Sequence, residues 1–331
     1  MKWSSPDKTS SGLKSLSEPI ARLYPAAIAV MRSPDSHSPS ELEILLARRR
    51  PRRARLQGLL YLLTCLTTFA AGAVGWQPLL LGVDDAGIAA AVTGHWDRGL
   101  LYMAAVMAVL TAHEAGHYVA ARLHGIPATL PFFIPMPILL TGTLGAVIGM
   151  EGSRADRRQL FDIAVAGPLA GLVVAVPLLA LGLLSGTADG SNPFALSPFT
   201  GWLQSLLRPE LAPGTTVAPN ALFMAGWMGL LVTGLNMIPV SQLDGGHICY
   251  AVFGRRGNWV ARAALLAAIL AVVISGRLNW VALVVIVTFL GVDHPPIREE
   301  REPPGLFRTA LGLAMFAIPV LTFMPEPLLL G

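Results

Sequence analysis

The chain has 331 residues, of which 53% are hydrophobic and only 13% are charged, and its formal net charge is +4. Soluble domains carry about twice that charged fraction, so the composition excludes an ordinary soluble protein and favours a membrane protein whose core is a helix bundle. A basic balance can indicate nucleic-acid binding, but six arginines cluster between Arg48 and Arg55, directly before the first apolar run. Such clusters set membrane topology and contact anionic lipid, so no nucleic-acid partner is predicted.

The chain divides into four predicted parts. Residues 1–57 form an N-terminal cytosolic extension, largely disordered because it is rich in Ser and Pro, that ends in the arginine cluster. Residues 58–97 form the first transmembrane helix and an external loop. Residues 98–247 form a central core, and residues 248–331 add further transmembrane helices. No apolar run before the arginine cluster is long enough for a cleavable signal peptide.

Apolar segments along the chain predict an all-α polytopic membrane protein with about seven transmembrane helices. They cover residues 59–80, 98–122, 160–186, 220–243, 260–275, 278–292 and 307–329. The positive-inside rule places the N-terminus and the arginine cluster in the cytosol. Later basic residues then also fall on the cytosolic side, among them Arg154, Arg157, Arg158, Arg255, Arg256, Arg298 and Arg301. We therefore expect an integral, multi-pass protein with a cytosolic N-terminus.

The segment from Gly125 to Met150 is apolar but unsuited to a continuous helix. It is interrupted by Pro127, Pro131, Pro135, Pro137, Gly142, Gly145 and Gly149. Extended or irregular backbone at membrane depth survives only where protein or a water-filled cavity shelters it. We therefore predict a small, membrane-embedded, β-like re-entrant segment beside the helix at 98–122.

The most informative motif is an HExxH sequence, His113-Glu114-Ala115-Gly116-His117, in the second apolar segment. Residues four apart lie on one face of a helix, so both imidazoles can reach one ion. Glu114 lies beside them and can accept a proton from the attacking water. The alternative is two histidines and an acid that are merely buried in a bundle, but ionisable groups at membrane depth are costly without a function. The predicted topology puts the motif near the cytosolic end of its helix.

A zinc hydrolase site needs a third protein ligand and an open position for water. The best candidate is Asp244, which follows the apolar segment at 220–243 and is expected at the cytosolic end of that helix. Gly245 and Gly246 would let the backbone bend sharply and approach the metal. Asp-Gly-Gly is also a common turn, in which the Asp only caps the turn.

Three motifs, in this order, resemble the site-2 protease family of intramembrane zinc metalloproteases. They are the HExxH sequence, then Gly167-Pro168-Leu169-Ala170-Gly171, then the stretch Asn236…Pro239…Leu243-Asp244-Gly245-Gly246. The resemblance covers about Gly99 to His247 and implies a three-helix metalloprotease core in residues 98–247. It implies that His113, His117 and Asp244 bind one Zn²⁺ per chain and that Glu114 is the catalytic glutamate. The proline-broken segment is similar to the membrane-embedded sheet of that family.

The same resemblance implies an intramembrane zinc endopeptidase. Such an enzyme hydrolyses peptide bonds within or near transmembrane segments of membrane-protein substrates, as in regulated intramembrane proteolysis. The implied partners are a transmembrane protein substrate and the lipid bilayer. The polar loop from Thr187 to Pro219 is only about thirty residues long, which leaves no room for an inserted PDZ-type domain. No other cofactor-binding site is predicted.

Several residues around these motifs have two interpretations. Asn236, expected about two helical turns before Asp244, can contact the substrate or the oxyanion or form an interhelical hydrogen bond. The glycines at 167 and 171 form a GxxxG that we assign to helix packing. His247 could orient a ligand, although an interfacial histidine is the favoured interpretation. His294 is expected at a loop terminus.

Two other functions use the same residues. A metal or proton transporter would use His113, His117 and Asp244 as a transit site, but it leaves Glu114 within an HExxH unexplained and favours inverted repeats, which the sequence does not show. An inactive scaffold homologue has no need of intact ligands and an intact glutamate.

Overall fold

The helices and strands come from a computed structural model of the chain. It describes residues 41–77, 85–188, 192–212, 214–240, 242–276, 280–295, 297–298 and 302–324. Residues 1–40 of the predicted extension lie outside the described residues. The chain divides into two units, Met1–Leu56 and Gln57–Gly331, and the second holds the candidate site.

The described part of the chain is mostly helical, as predicted, and contains two short strands. The helices are α1 (Glu41–Ala73), α2 (Asp85–Gly94), α3 (Trp96–Leu123), α4 (Arg157–Ser185), α5 (Pro198–Leu207), α6 (Ala221–Asn236), α7 (Asp244–Phe253), α8 (Gly257–Ser275), α9 (Val281–Leu290), α10 (Leu306–Met315) and α11 (Ala317–Thr322). The strands are β1 (Phe132–Pro135) and β2 (Thr143–Val147).

Within the described residues, four helical stretches are long and apolar enough to cross a membrane. They are Ala54–Ala73, Trp96–Leu123, Arg157–Ser185 and Asp244–Ser275, the last of which joins α7 and α8. Helix α6 and the stretch Leu306–Thr322 are apolar but shorter. By length and composition, these helices fit a multi-pass membrane protein, whereas the number of seven spans stays a prediction.

The apolar segment at 220–243 does not form one helix, which corrects the prediction made from hydropathy. Helix α6 ends at Asn236, and tight turns lead to Asp244, the first residue of α7. The helix cannot easily continue through Pro239, because proline disfavours helical backbone in the residue before it. Asp244 therefore lies at the N-terminus of a helix, where a carboxylate is electrostatically favoured.

Helices α3, α4 and α6 form the central bundle, and small residues allow them to approach closely. A Cβ added at Gly116 of α3 would overlap the backbone carbonyl of Ala166 in α4, and one at Gly226 of α6 would lie 2.6 Å from the Leu179 side chain in α4. The surrounding core includes the buried side chains of Tyr102, Val106, Leu183, Phe223 and Trp227. This bundle brings the HExxH helix into direct contact with α4.

The proline-broken segment forms a two-stranded antiparallel sheet beside α3. Phe133 of β1 pairs with Ala146 of β2, and the register shifts towards Pro135. The connection between the strands is tied to α3, because the Tyr102 hydroxyl donates a hydrogen bond of 3.1 Å to the Thr141 carbonyl oxygen. The proline-broken segment therefore contains a short sheet that packs against the HExxH helix, whereas its re-entrant position in the membrane stays a prediction.

Candidate metal centre

Three side chains from two helices converge at one point. His113 and His117 lie one turn apart in α3, and Asp244 begins α7. His113 Nε2 lies 3.2 Å from Asp244 Oδ2, His117 Nε2 lies 3.2 Å from Asp244 Oδ1, and the two Nε2 atoms are 3.1 Å apart. All three side chains are largely shielded from solvent. The structure thus brings together the three residues that the sequence singled out as metal ligands.

The spacing and chemistry of these atoms fit a zinc ion. Zn–N distances of about 2.0–2.1 Å put neighbouring atoms of a tetrahedral site about 3.3 Å apart. Asp244 Oδ2 is buried and, although 3.2 Å from His113 Nε2, makes no hydrogen bond to any described residue. A buried oxygen without a hydrogen bond is costly, and a cation between the three groups would satisfy it. Two imidazoles and one carboxylate also leave the fourth position that catalytic zinc sites keep open.

A backbone carbonyl orients one of the two rings. His117 Nδ1 lies 2.8 Å from the carbonyl oxygen of Ile163 in α4. A carbonyl only accepts hydrogen bonds, so Nδ1 carries a proton, and Nε2, which faces Asp244, is the nitrogen that the neutral ring would offer to a metal. Metal-binding histidines typically have their second nitrogen held in this way.

The two glycines of the GxxxG motif in α4 pack directly against the histidine rings. A Cβ at Gly167 would lie 2.0 Å from His117 Nε2, and one at Gly171 would lie 3.2 Å from His113 Nδ1. The assignment of this motif to helix packing is confirmed, and its partner in α3 is the histidine pair itself. No side chain larger than hydrogen fits at Gly167 while the His117 ring keeps its place.

Glu114 shares a cleft with the three converging side chains. The cleft has a volume of about 150 Å³, and Glu114 is only 4% exposed. A second cavity of about 90 Å³, between α3, α6 and β2, also touches Glu114. Ala146 and Val147 of β2 line both spaces. The sheet therefore runs along the candidate metal centre.

Asn236 also lines both the cleft and the smaller cavity. Its expected position, two turns before Asp244 on one helix, is wrong because α6 ends at Asn236 itself. The turn between α6 and α7 nevertheless brings both residues to the same cleft. The side chain is thus placed near the candidate metal centre from the end of a neighbouring helix.

His294, which is expected from the sequence at a loop terminus, contacts a residue of the cleft. Its side chain is buried, and its Nε2 lies 2.6 Å from Nδ1 of His247, a residue that lines the cleft. No local pattern indicates this contact, because 47 residues separate the two histidines. His124, in contrast, lies 3.1 Å from the carboxylate of Asp162 and not at the cleft.

The sequence of this chain is similar to a known peptidase family and to several of its curated members. The model of peptidase family M50 matches residues 101–276. The Arabidopsis thaliana protein named "Probable zinc metalloprotease EGY2, chloroplastic" is 33% identical over 229 residues, which cover 66% of this chain and 40% of that protein. "Probable zinc metalloprotease EGY1, chloroplastic" of the same plant is 32% identical over 242 residues, which cover 69% and 43%. The chain therefore spans about two fifths of the length of the curated relatives it matches. No solved structure gives a significant match.

Proposed function

The chain belongs to peptidase family M50, and on that premise we propose that it is an intramembrane zinc endopeptidase. Its substrates are membrane proteins that it cuts within or near their transmembrane segments. The observation that carries this proposal is the convergence of His113, His117 and Asp244, with neighbouring ligand atoms 3.1–3.2 Å apart, in one cleft with Glu114. The zinc metalloprotease names of the relatives support the same chemistry.

His113, His117 and Asp244 are the residues that would hold one zinc ion per chain. When bound, zinc lowers the pKa of a coordinated water and polarises a carbonyl group. Glu114 accepts the proton of the attacking water and later passes it to the leaving amine. Its burial in the cleft wall keeps this carboxylate out of bulk solvent and next to the reacting groups. Asn236 lines the cleft from the end of α6, where its amide can hydrogen-bond the substrate or the developing oxyanion.

An unwound segment of the substrate binds along strand β2. A transmembrane helix buries its amides, so it must unwind before hydrolysis. The described residues contain a sheet of only two strands, which leaves one edge of β2 without a strand partner. Because β2 lines the cleft, an extended substrate segment can add to this edge through backbone hydrogen bonds. Leu144 and Val147 are 53% and 54% exposed, which suits contact with an apolar substrate.

The membrane arrangement that we propose follows from charge and hydropathy. The protein spans the bilayer several times, about seven in all, with its N-terminus and the active-site end of the core in the cytosol. The arginine cluster before the first span supports this orientation. The hairpin of β1 and β2 is re-entrant, because it packs on a helix long enough to span the bilayer and is rich in apolar residues.

The proposal is tested by replacing Glu114 with glutamine in the purified full chain. We expect Glu114→Gln to abolish cleavage of a single-span membrane reporter while the zinc content stays at the wild-type level. Glu210→Gln, in a side chain that is 58% exposed, is the matched control and should cleave normally. Cleavage by Glu114→Gln at the wild-type rate would contradict the proposal. Zinc flux into vesicles without any cleavage by the wild type would instead indicate a transporter.

A further inference from the structure

A chain of hydrogen bonds runs from a loop carbonyl to the cleft through two histidines. His294 Nδ1 lies 2.6 Å from the Pro295 carbonyl oxygen, which can only accept, so this nitrogen carries a proton. His294 Nε2 lies 2.6 Å from His247 Nδ1. When the His294 ring is neutral, its Nε2 accepts, and His247 Nδ1 must donate. The second nitrogen of His247, Nε2, is then left without a proton.

The surroundings of His294 keep its ring neutral and in place. The ring stacks on Tyr250 with ring centroids 4.3 Å apart, and the backbone N–H of His294 donates to Asn258 Oδ1 at 3.2 Å. The residue is 8% exposed. Burial lowers the pKa of His294, and the hydrogen bond to the Pro295 carbonyl offsets only part of this effect. The direction of the hydrogen bonds is therefore determined at neutral pH.

The unprotonated nitrogen of His247 belongs to a side chain that lines the reaction space. His247 lines the same cleft as Glu114 and the three converging side chains. Its Nδ1 is turned towards His294, so the other ring nitrogen, Nε2, points away from that partner. Among the described residues, the hydrogen bond to His294 is the one that the His247 side chain forms. The cleft is about 150 Å³, a volume that holds a benzene-sized group of six heavy atoms. A planar peptide unit has about the same size.

We propose that His247 is a substrate-contacting residue whose Nε2 accepts a hydrogen bond from the N–H of the scissile peptide, and that His294 is its positioning residue. Of the two polar groups of a peptide bond, only the N–H can pair with an unprotonated imidazole nitrogen. This bond orients the same nitrogen that receives the proton from Glu114 when the amine leaves. The inference rests on the proposed endopeptidase function and adds the group that positions the leaving nitrogen.

Kinetics of the full-length, zinc-loaded enzyme on a single-span membrane reporter test the contact. We expect His247→Leu to lower kcat/KM about ten-fold, the effect of losing one hydrogen bond, with one zinc per chain. His247→Gln should recover part of the rate, because its side-chain carbonyl can accept at a similar reach. His294→Phe keeps a ring to stack on Tyr250 and should lower kcat/KM by a smaller factor. The matched control is His95→Gln, at an exposed histidine directly before α3, and it should behave as wild type.

Nitrogen-15 NMR of histidine-labelled protein tests the positioning without any substrate. In the wild type, His247 should be protonated at Nδ1 and unprotonated at Nε2. Its signals are assigned as those lost in His247→Gln or in His247→Leu, so one folded variant is enough. In His294→Phe this pattern should change, since the acceptor for Nδ1 is gone. A wild-type His247 protonated at Nε2 would overturn the inference even if His247→Leu failed to fold.

The outcomes separate this inference from the proposed function. If the wild type cleaves no membrane reporter, the endopeptidase function fails. If the wild type cleaves and His247→Leu has the same kcat/KM, only the contact with His247 is refuted. Loss of zinc from His247→Leu would also overturn it, because the residue would then act through the metal centre.

Discussion

Replacing Gly167 with alanine is expected to remove zinc by displacing a histidine ring. The added Cβ would lie 2.0 Å from His117 Nε2, whereas ordinary van der Waals contact begins at 3.4 Å. Relief of this overlap by the ring alone requires a movement of about 1.4 Å. Zinc ligands lie within about 0.2 Å of their preferred distances, so a displacement of that size takes the nitrogen out of coordination.

Every movement of the His117 ring away from the added Cβ costs free energy. His117 is 6% exposed, and its Nδ1 is hydrogen-bonded at 2.8 Å to the carbonyl of Ile163, one turn before Gly167 on the same helix. Moving the ring away from α4 breaks this bond, which costs about 1 kcal/mol. Separation of the helices instead would open the tight contact between Gly116 and Ala166. Because a metal ligand itself is displaced, we expect the zinc affinity to fall more than the roughly 10- to 100-fold that is typical when a supporting residue is lost.

Zinc affinity is measured by chelator competition on the detergent-purified protein, together with the temperature of unfolding. Gly171→Ala places its Cβ 3.2 Å from His113 Nδ1, so a small shift suffices and the loss should be less than about ten-fold. Gly201→Ala in α5 meets nothing within 4 Å and should bind zinc as the wild type does. Wild-type affinity and stability in Gly167→Ala would refute the close contact between α3 and α4 from which this expectation derives.

Two further predictions concern the sheet and an interhelical ion pair. Proline introduced in turn at Leu144, Ala146 and Val147 should slow cleavage of a membrane reporter without loss of zinc, because it removes backbone donors from β2. Asp162→Asn should lower the free energy of unfolding by about 1 kcal/mol, measured by thermal denaturation, and leave the zinc content unchanged. The carboxylate accepts hydrogen bonds of 2.7 and 2.9 Å from the guanidinium group of Arg308, which ties α10 to α4.

Each of these predictions has an internal control. The variant Leu144→Ala keeps the backbone N–H and should therefore cleave the reporter faster than Leu144→Pro. Wild-type cleavage rates in all three proline variants would exclude addition of the substrate to β2. For the ion pair, Asp162→Asn should have a smaller effect in an Arg308→Met background, where only the contact of Asp162 with His124 remains to be lost. An equal loss of stability in both backgrounds would show that the two side chains do not act together.

Helical spacing alone was enough to predict the pairing of His113 with His117, because residues four apart share a helix face. The position of Asp244 after an apolar run identifies it as a candidate ligand. Its expected place at the end of that helix is wrong, because Asp244 begins the next helix, α7. Hydropathy does not detect where a helix ends inside an apolar stretch. Pro239 was the available signal for that end, since proline is disfavoured within a helix.

Contacts that join distant parts of the chain could not be predicted from local patterns. The GxxxG motif at Gly167 indicates close packing, yet nothing in the motif says that the partner is the ring of His117. The bond between His247 and His294 depends on how the loop after α9 returns to α7. Both cases require the tertiary arrangement, in which side chains far apart in sequence become neighbours.

The zinc content of the purified wild-type protein, compared with that of Asp244→Ala, tests the metal centre most directly. About one zinc per chain in the wild type is expected, with clear loss in the variant, because Asp244 faces both histidines at 3.2 Å. A folded wild type that binds no zinc after metal is added back would contradict the proposed zinc site. Retention of zinc by Asp244→Ala at the wild-type level would show that another residue provides the third ligand.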